Sequence, residues 1–594
     1  MAAMASTVIF SLPNSAIQTS FLPGTHQLSR FNKKRPFNFV SDKVVSCRAS
    51  NGNENNEHSS SPNRFDRRDV LVGLGSVYGA TNLVSDPFAL AAPISAPDLD
   101  LCQKATVTSK TAGTIKVACC PPKSAKIIDF KPPKFSKMRY RPAAQLVGPE
   151  YLDKFTKAVE LMKALPEDDP RSFMQQADVH CAYCNGAYDQ VGFPDLELQV
   201  HFSWLFFPFH RLYIYFWERI LGKLIDDPDF AIPYWNWDTP AGYALPAIYN
   251  DPKSPLYDEK RNVNHLPPVL IDLDYAGVDE EISKRDLIKS NLSLMYRQVV
   301  TYKTPSLFLG AAYRAGDPPA PGMGSIENVP HTPVHRWVGD PRQTFNEDMG
   351  NFYSAARDPV FFAHHANVDR MWPIWKSLPG KKRRDFTTTD WLDASFLFYD
   401  ENANLVRAKV RDVLDTKPLG YEYQKVDLPW LNTKPAPRRP RQGKGQAKAA
   451  ETSKTTVISN TFPIVLEKPV RIEVPRPKKS RTKLEKEDEE EVLVLQNIKL
   501  DRNVAVKFDV YINEEDGETP TEPADSEFAG SFTNLPRTQH SGGKKLDTKL
   551  TLPISDLLED LDAEGDDSIV VTLVPKLGKG QVSIGNIKIE YVRD

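Results

Sequence analysis

Seven of the eleven histidines of this sequence lie in or beside aromatic clusters between residues 180 and 365. They are His180, His201, His210, His331, His335, His364 and His365. Imidazole groups without nearby ligating carboxylates favour copper, zinc or nickel. One buried histidine is often an ordinary core residue, but seven in one region predict a metal centre.

Spacing excludes two other classes of metal site. A zinc protease carries a glutamate directly after its first histidine as general base, whereas Thr332 follows His331. A di-iron carboxylate bundle places a glutamate three residues before a ligating histidine. The residues at that offset here are Ala177, Leu198, Phe207, Asn328, Thr332 and Phe362. Two groups of three imidazoles fit a pair of copper ions that binds dioxygen between the metals.

The pair His331 and His335 predicts a helix. Residues four apart project about 40° apart on one helical face. Pro333 between them is tolerated only in a first turn, because proline has no backbone N–H to donate. We therefore expect the helix to begin near His331.

His201 and His210 need different elements. Nine residues correspond to a half-integral number of helical turns, so one straight helix cannot aim both at one metal. His201 should lie on the loop before Pro208, and an apolar run at helical spacing predicts a helix from Phe209 onward. Further helices are expected within 152–165, 334–337 and 360–376. The fold class is therefore mainly α, with a helical core and long loops.

The stretch "HCAYCNGAYD" at 180–189 sets Cys181 and Cys184 three positions apart behind a histidine. This spacing fits a redox dithiol, half of a zinc site, a disulfide anchor or a rarer linkage, and the stretch alone does not choose among them. The remaining cysteines are Cys47, Cys102, Cys119 and Cys120. All six lie in the first third of the chain, so any disulfide connects the N-terminal region with this stretch.

Residues 1–91 have the composition of a two-part targeting peptide. Residues 1–41 contain no Asp or Glu, which is typical of an organellar transit peptide. The twin arginines Arg67 and Arg68 then precede an interrupted apolar run, a poor membrane span, that ends in the cleavage-like "ALAAP". We expect a plastid protein carried into the thylakoid lumen, with a mature chain from about Ala92. That compartment is compatible with disulfides.

Composition and length predict several soluble domains. The formal net charge of −2 provides no basic field for nucleic acid. We expect a catalytic domain at 92–433 and an exposed, basic, proline-containing linker at 434–457. Short β-branched runs predict a small antiparallel β domain at 458–594. The acidic run Glu485–Glu491 is expected to be a solvated loop.

Seven motifs make the sequence resemble the plant polyphenol oxidases (catechol oxidases) of the type-3 copper family, which includes the tyrosinases and haemocyanins. They are "HCAYCNGAYD", "FPFHRLYIYFWER", "YWNWD", "HTPVHRWVGD", "DPVFFAHHANVDRMWPIW", "TDWLDASFLFYDE" and "KFDVYIN". The resemblance extends from the targeting signals to the C-terminus. It implies a four-helix-bundle dicopper core followed by a small antiparallel β-sandwich.

The resemblance also implies which residues build the site. The first copper would be bound by His180, His201 and His210, and the second by His331, His335 and His365, with His364 outside the set. A thioether would join Cys184 to His201, and disulfides would pair Cys102 with Cys120 and Cys119 with Cys181. The thioether would fix an imidazole that has no helical support, which reduces the entropy lost on binding.

The implied reaction is the oxidation of small phenolic substrates, o-diphenols, to o-quinones with reduction of dioxygen to water. By resemblance, Phe352 overhangs the second copper and filters substrates, Glu327 positions a water and helps to deprotonate phenols, and Asp369 orients a ligand imidazole. Arg370 is expected to be structural. Members that hydroxylate monophenols often carry asparagine at the place of Thr332.

Two alternatives remain at this point, a specialised hydroxylase of one plant phenolic and a haemocyanin-like dioxygen carrier. Plastid targeting and the lack of a multi-subunit pattern disfavour the carrier. The "YEY" at 421–423 resembles the tyrosine motif that closes the catalytic domain in the family. We therefore expect the C-terminal domain to be a removable lid that keeps the enzyme latent, unless it serves folding or copper loading.

Overall fold

The computed structural model describes residues 92–109, 111–437, 456–457, 462–514, 522–537 and 545–593. The predicted targeting peptide, residues 1–91, lies outside these ranges. Within them, no helix has the length and apolarity that a bilayer crossing requires.

Ten α-helices occur in the described ranges. They are α1 Pro149–Lys163, α2 Phe173–Cys184, α3 Phe206–Leu224, α4 Lys284–Tyr296, α5 Pro305–Phe308, α6 Thr332–Val338, α7 Val360–Ser377, α8 Thr389–Leu392, α9 Lys483–Asp488 and α10 Ser555–Asp560. Helices α1, α3, α6 and α7 confirm the predicted positions within a few residues. As expected, α6 begins directly after His331, with Pro333 in its first turn.

Helices α2, α3, α6 and α7 form the four-helix core, which carries five of the seven histidines: His180, His210, His335, His364 and His365. Helix α3 is buried on nearly all sides, which explains its continuous run of aromatic and aliphatic residues. It packs against α7, where Trp217 and Phe362 stack in parallel with ring centroids 3.7 Å apart. These aromatic contacts fix the helices at the spacing that the site requires.

Helix α2 was missing from the sequence-based expectations although it carries His180. It begins after Ser172, whose hydroxyl accepts a hydrogen bond from the Gln175 amide, and ends at Cys184. Its C-terminal half is buried on all sides, so it lacks the polar stripe that reveals an amphipathic helix.

Small sheets surround the helical core. Their strands are β1 Ala105–Ser109, β2 Gly113–Val117, β3 Ile127–Asp129, β4 Arg139–Arg141, β5 Asp189–Gln190, β6 Phe193–Glu197, β7 Ser395–Tyr399, β8 Leu405–Lys409 and β9 Tyr421–Tyr423. Strand β9 contains the "YEY" motif and pairs in parallel with β4. The last part of this region is thereby connected to its beginning.

The C-terminal region is a β-sandwich, as predicted. Its strands are β10 Thr456–Val457, β11 Ile464–Val465, β12 Val470–Pro475, β13 Glu490–Asp501, β14 Lys507–Ile512, β15 Phe528–Thr533, β16 Lys545–Pro553, β17 Ser568–Leu577, β18 Val582–Ile584 and β19 Asn586–Val592. One sheet has the order β10-β12-β17-β14-β15; the other has β11-β18-β13-β16, with β19 also on β13. All pairings are antiparallel except β10 with β12.

Both ends of the expected linker contact the sandwich. Ala436 forms a bridge with Asp525, and Lys434 forms an ion pair with Asp560 at 2.6 Å. Strand β10 adds Thr456–Val457 to the first sheet. Residues 438–455 lie outside the described ranges.

The expectation that Glu485–Glu491 is a solvated loop is wrong. Its first residues belong to helix α9, and Glu490 and Glu491 begin strand β13, each only 2% exposed. The Glu491 carboxylate accepts a hydrogen bond from Arg476 Nε at 2.9 Å. A buried cation explains how an acidic pair enters a sheet.

Candidate metal centre

The first histidine group combines two helices and a loop. His180 lies on α2, His210 lies in the first half of α3, and His201 lies on the loop before α3, as its spacing predicted. One ring nitrogen of each lies within 4.8 Å of the others, and all three side chains are buried.

The second group contains four histidines. His331 precedes α6, His335 lies on α6, and His364 and His365 are neighbours on α7. One ring nitrogen of each again lies within 4.8 Å of the others. The two groups face each other, since the rings of His210 and His365 stack at a centroid distance of 4.3 Å.

Backbone carbonyls orient four of the imidazoles through Nδ1. His180 bonds to the Phe352 carbonyl at 2.7 Å, His210 to Phe206 at 2.8 Å, His331 to Glu327 at 3.0 Å and His335 to Met349 at 2.9 Å. A carbonyl can only accept, so each Nδ1 carries the proton and each Nε2 presents a lone pair. The Nε2 atoms of His180, His201, His210 and His331 are buried without a hydrogen-bond partner, which fits metal ligands; His364 Nε2 is buried without a partner as well.

His201 is oriented differently, by a side chain. Gln199 Oε1 lies 3.3 Å from His201 Nδ1 and also accepts the backbone N–H of His201 at 2.9 Å. The amide nitrogen of Gln199 donates to the Cys184 carbonyl at 3.0 Å.

His364 and His365 have opposite surroundings. The indole N–H of Trp237 donates to His364 Nδ1 at 3.0 Å, which places the proton of a neutral His364 on Nε2. His365 Nε2 lies 3.2 Å from His335 Nε2. Two nitrogens each about 2.0 Å from one metal have this separation near the tetrahedral angle.

Burial keeps these imidazoles neutral. It lowers the pKa of His180 to about 4 and that of His335 to about 3, with bonds to backbone carbonyls acting in the opposite direction. It also lowers the pKa values of His201, His210, His331 and His365. Neutral imidazoles are the form that binds metals, so the donor set fits two copper ions.

The cysteines fall into two kinds. Disulfides join Cys102 to Cys120 and Cys119 to Cys181, with Cα atoms 5.8 and 5.7 Å apart. The second disulfide ties the N-terminal segment to α2, next to His180. Cys184 is a buried free thiol whose pKa is raised by burial.

Phe352 lies at the first group. Its ring centroid is 4.5 Å from that of His201 and 5.9 Å from that of His180. Its carbonyl accepts the Nδ1 proton of His180, which holds this turn against α2. The expectation that Phe352 overhangs the second copper stays a prediction.

Glu327 lies behind both groups. Its carboxylate accepts the backbone N–H of Phe202, next to His201, and its carbonyl accepts from His331 Nδ1. Burial raises the pKa of Glu327 well above the usual value, while its backbone hydrogen bonds act in the opposite direction. Its Oε2 is buried without a partner.

Asp369 does not contact an imidazole, which corrects the expectation that it orients one. Its carboxylate binds Arg141 and Arg211 and accepts the hydroxyl protons of Tyr421 and Tyr423 at 2.7 and 2.6 Å. It lies one helical turn beyond His365 and faces strand β9 instead. The neighbouring Arg370 forms a buried ion pair with Asp238 at 2.9 Å, a structural role as expected.

Sequence reasoning missed Trp237 and Gln199. Trp237 lies in the motif "YWNWD", whose aromatic residues read as core, and Gln199 is an unremarkable polar residue two before His201. The only signal in the sequence was a glutamine two residues before a candidate ligand histidine.

Comparisons with known proteins agree with this geometry. A family model for the common central domain of tyrosinase matches residues 170–378. Models for the polyphenol oxidase middle domain and the chloroplastic polyphenol oxidase C-terminal domain match 385–436 and 462–591.

Full-length relatives are similar along almost the whole chain. The chloroplastic polyphenol oxidase of Malus domestica is 56% identical over 594 residues, with 98% of each chain covered. The (+)-larreatricin hydroxylase of Larrea tridentata is 53% identical over 563 residues, covering 93% of this chain and 95% of the relative. The solved structure of latent apple tyrosinase aligns at a TM-score of 0.75 and 61% identity, covering 79% of this chain and all of that one.

Proposed function

The chain belongs to the plant polyphenol oxidases, copper enzymes of the tyrosinase family with two copper ions, and on this premise we propose that it oxidises o-diphenols to o-quinones. Each of two catechols loses two electrons and two protons. One dioxygen molecule takes up the resulting four electrons and four protons and forms two water molecules. The observation that carries the proposal is the pair of facing histidine groups with unpartnered, buried Nε2 atoms.

We propose that His180, His201 and His210 bind the first copper and that His331, His335 and His365 bind the second. His364 is left out because Trp237 occupies its Nδ1, so its Nε2 carries a proton rather than a lone pair. Its buried position against His331 and His335 makes it a packing residue of the second site.

Bound copper supplies the electron transfer and the Lewis acidity that lowers the pKa of a coordinated phenol. The chain positions the groups around it. The hydrogen bonds at the Nδ1 atoms hold the imidazoles in their metal-binding orientation, so little reorganisation is needed when the metals bind. Phe352 offers an apolar ring face beside the first site, against which a phenol ring can stack and be selected by size.

Glu327 is the proposed proton acceptor for the phenol, through a water at its unpartnered Oε2. Its buried carboxyl has a raised pKa, and two nearby copper ions would lower it again by favouring the charged form.

The proposed thioether between Cys184 and His201 agrees with their shared neighbour. Gln199 bonds to the backbone of Cys184 and to the ring of His201, so the two residues lie on either side of one amide group. Burial makes Cys184 a poor free nucleophile and leaves covalent attachment as its proposed role.

A monophenol hydroxylase is the second candidate, favoured by the similarity to the Larrea tridentata enzyme. Thr332 supports the diphenol oxidase instead, because it stands where hydroxylating members often carry asparagine, and its hydroxyl already donates to the Glu327 carbonyl at 3.0 Å. Oxygen uptake with catechol and with matched monophenols tests the choice. We expect immediate uptake with catechol alone; equal uptake with monophenols would favour the hydroxylase.

We propose plastid localisation, in the thylakoid lumen, from the sequence of residues 1–91 and from the chloroplastic name of the Malus domestica relative. A fluorescent reporter fused behind these residues should appear in the lumen. Retention of the reporter in the stroma would contradict the predicted thylakoid signal that follows the transit peptide.

We also propose that the β-sandwich is a lid that keeps the enzyme latent. Strand β15 packs against the turn that leads into His331, where Asn328 donates to the Ser531 carbonyl and accepts from the Thr533 amide. Arg336, next to His335, donates to the Asn534 carbonyl. The sandwich thus covers the supports of the second site.

A further inference from the structure

The loop at 198–205 differs from the other ligand supports in one respect. It carries the only proposed ligand whose Nδ1 partner in the described ranges is a side chain, Gln199, whereas His180, His210, His331 and His335 use backbone carbonyls. A backbone carbonyl is present whatever the residue type. The orientation of His201 therefore depends on the identity of another residue.

Every hydrogen-bonding position of the Gln199 amide is used for this loop. Its oxygen accepts the backbone N–H groups of Val200 and His201 at 3.0 and 2.9 Å and faces His201 Nδ1 at 3.3 Å. Its nitrogen donates to the Cys184 carbonyl at 3.0 Å and to Glu197 at 3.4 Å. The residue is 0% exposed, so no water replaces these bonds.

We propose that Gln199 is the positioning residue of the first metal site. It fixes the proton of His201 on Nδ1, aims Nε2 at the metal, and holds the loop against the end of helix α2. The inference rests on the proposed assignment of His201 as a ligand.

The positioning role requires a hydrogen-bond acceptor for the three N–H groups at this position. An apolar side chain of equal length removes the acceptor of the Nδ1 proton, so the His201 ring exchanges tautomers even where the proposed thioether limits its rotation. Removal of such an outer partner lowers metal affinity about 10- to 100-fold. A carboxylate keeps the acceptor for all three N–H groups. Its second oxygen lies against two acceptors, the Cys184 carbonyl and the Glu197 carboxylate, which costs folding stability but does not remove the acceptor for His201 Nδ1.

Copper titration of the apo-protein tests the proposal with Gln199→Met and Gln199→Glu. We expect Gln199→Met to weaken one of the two sites about 10- to 100-fold and to leave the other unchanged. Gln199→Glu should bind closer to the parent chain. In ¹⁵N NMR spectra of the apo-protein, His201 should be the Nδ1–H tautomer in the parent and in Gln199→Glu, and a mixture in Gln199→Met.

Two further variants separate the possible failures. Gln176→Met removes another buried glutamine, whose amide donates to the Pro170 carbonyl rather than to a candidate ligand, and should leave both copper affinities unchanged. His201→Ala should lose one copper. If it does while Gln199→Met binds two coppers with parent affinity and keeps one tautomer, the positioning role is wrong and the ligand assignment stands. If His201→Ala still binds two coppers, the ligand assignment fails first.

Discussion

At the residue scale, proton placement on each imidazole distinguishes ligands from neighbours. His364 and His365 are adjacent in sequence, are both buried and both belong to the second group by distance. Their ring nitrogens separate them: Trp237 occupies the Nδ1 lone pair of His364, and His365 Nε2 lies 3.2 Å from His335 Nε2. Neither spacing nor burial contains that information.

We expect His365→Ala to lose one copper and His364→Ala to retain two. The physical reason is that His364 Nε2 carries its proton, whereas His365 Nε2 lies at ligand separation from His335 Nε2. Metal analysis of the purified variants measures the difference. Retention of both coppers by His365→Ala would overturn the assignment.

We expect the peptides that contain Cys184 and His201 to stay joined under reducing conditions, lighter by two hydrogens than their sum. A thioether resists thiols, whereas the two disulfides open. Peptide mapping by mass spectrometry measures this, and Cys184→Ser should release the two peptides. An alkylatable Cys184 in the copper-loaded enzyme would contradict the thioether.

At the element scale, the sequence predicted what depends on local pattern. The 3.6-residue period gave α3 and α7, and Pro333 gave the start of α6. The position of His201 on a loop followed from its distance to His210. Helix α2 was not predicted because its second half is buried on all sides, which removes the 3.6-residue alternation of apolar and polar residues.

Long-range pairing could not be predicted from local pattern. The carboxylate of Asp369 joins α7 to α3, β4 and β9 through two arginines and two tyrosines that are far apart in sequence. The acidic run that ends in β13 was predicted to be solvated. Its residue Glu491 has a buried partner, Arg476, which directly follows strand β12 and which local pattern does not reveal. The bond in which the Phe352 carbonyl accepts the Nδ1 proton of His180, 172 residues away in sequence, is another such long-range contact.

Asp369→Asn should lower the free energy of unfolding by about 3–5 kcal/mol, because it leaves Arg211 buried without a charged partner, while Arg141 keeps its ion pair with Glu218. Burial tends to raise the pKa of Asp369, but the two arginines prevail and the pKa lies below its usual value. The ionised carboxylate therefore stabilises the fold above the unfolded-state pKa of about 3.9, and this contribution is lost as the pH falls through the lower folded-state value.

Denaturant unfolding of parent and variant at several pH values measures this effect. The difference should be constant near neutral pH and should shrink in acid. Asp129→Asn, which disrupts an exposed ion pair with Arg407, is the control and should cost less than about 1 kcal/mol. If Asp369→Asn instead lost copper at unchanged stability, the original ligand-orienting role would be restored.

At the scale of the whole molecule, a buried ion cluster connects the sandwich to the helical core. Lys507 on β14 is 1% exposed and binds Asp274 of the core at 2.9 Å and Asp509 of the sandwich at 2.6 Å. Ser531 donates to the same Asp274 at 2.9 Å. Partial separation of the sandwich from the core would leave buried charges without their partners, which costs free energy. The charge cluster therefore holds the sandwich in one position.

Lys507→Met should activate the latent enzyme with less detergent than the parent chain needs. The substitution leaves Asp274 and Asp509 buried without a cation, so the closed arrangement loses stability relative to the open one. The detergent concentration at half-maximal catechol oxidation measures the shift. Lys499→Met, which removes a half-exposed partner of Asp547 within the sandwich, should leave the midpoint unchanged.

Trypsin provides an independent route to the same result. Residues 434–454 contain seven Lys or Arg, so cleavage there should raise catechol oxidation several-fold while copper stays bound. An unchanged rate after cleavage, together with an unchanged midpoint in Lys507→Met, would replace the lid with a folding or copper-loading role.

The measurement that tests the central claim most directly is copper titration of the activated apo-enzyme with oxygen uptake as the readout. We predict that catechol-dependent uptake rises with added copper, saturates at two copper ions per chain and yields two quinones per dioxygen. Saturation at one copper, or reversible dioxygen binding without quinone formation, would contradict a dicopper o-diphenol oxidase.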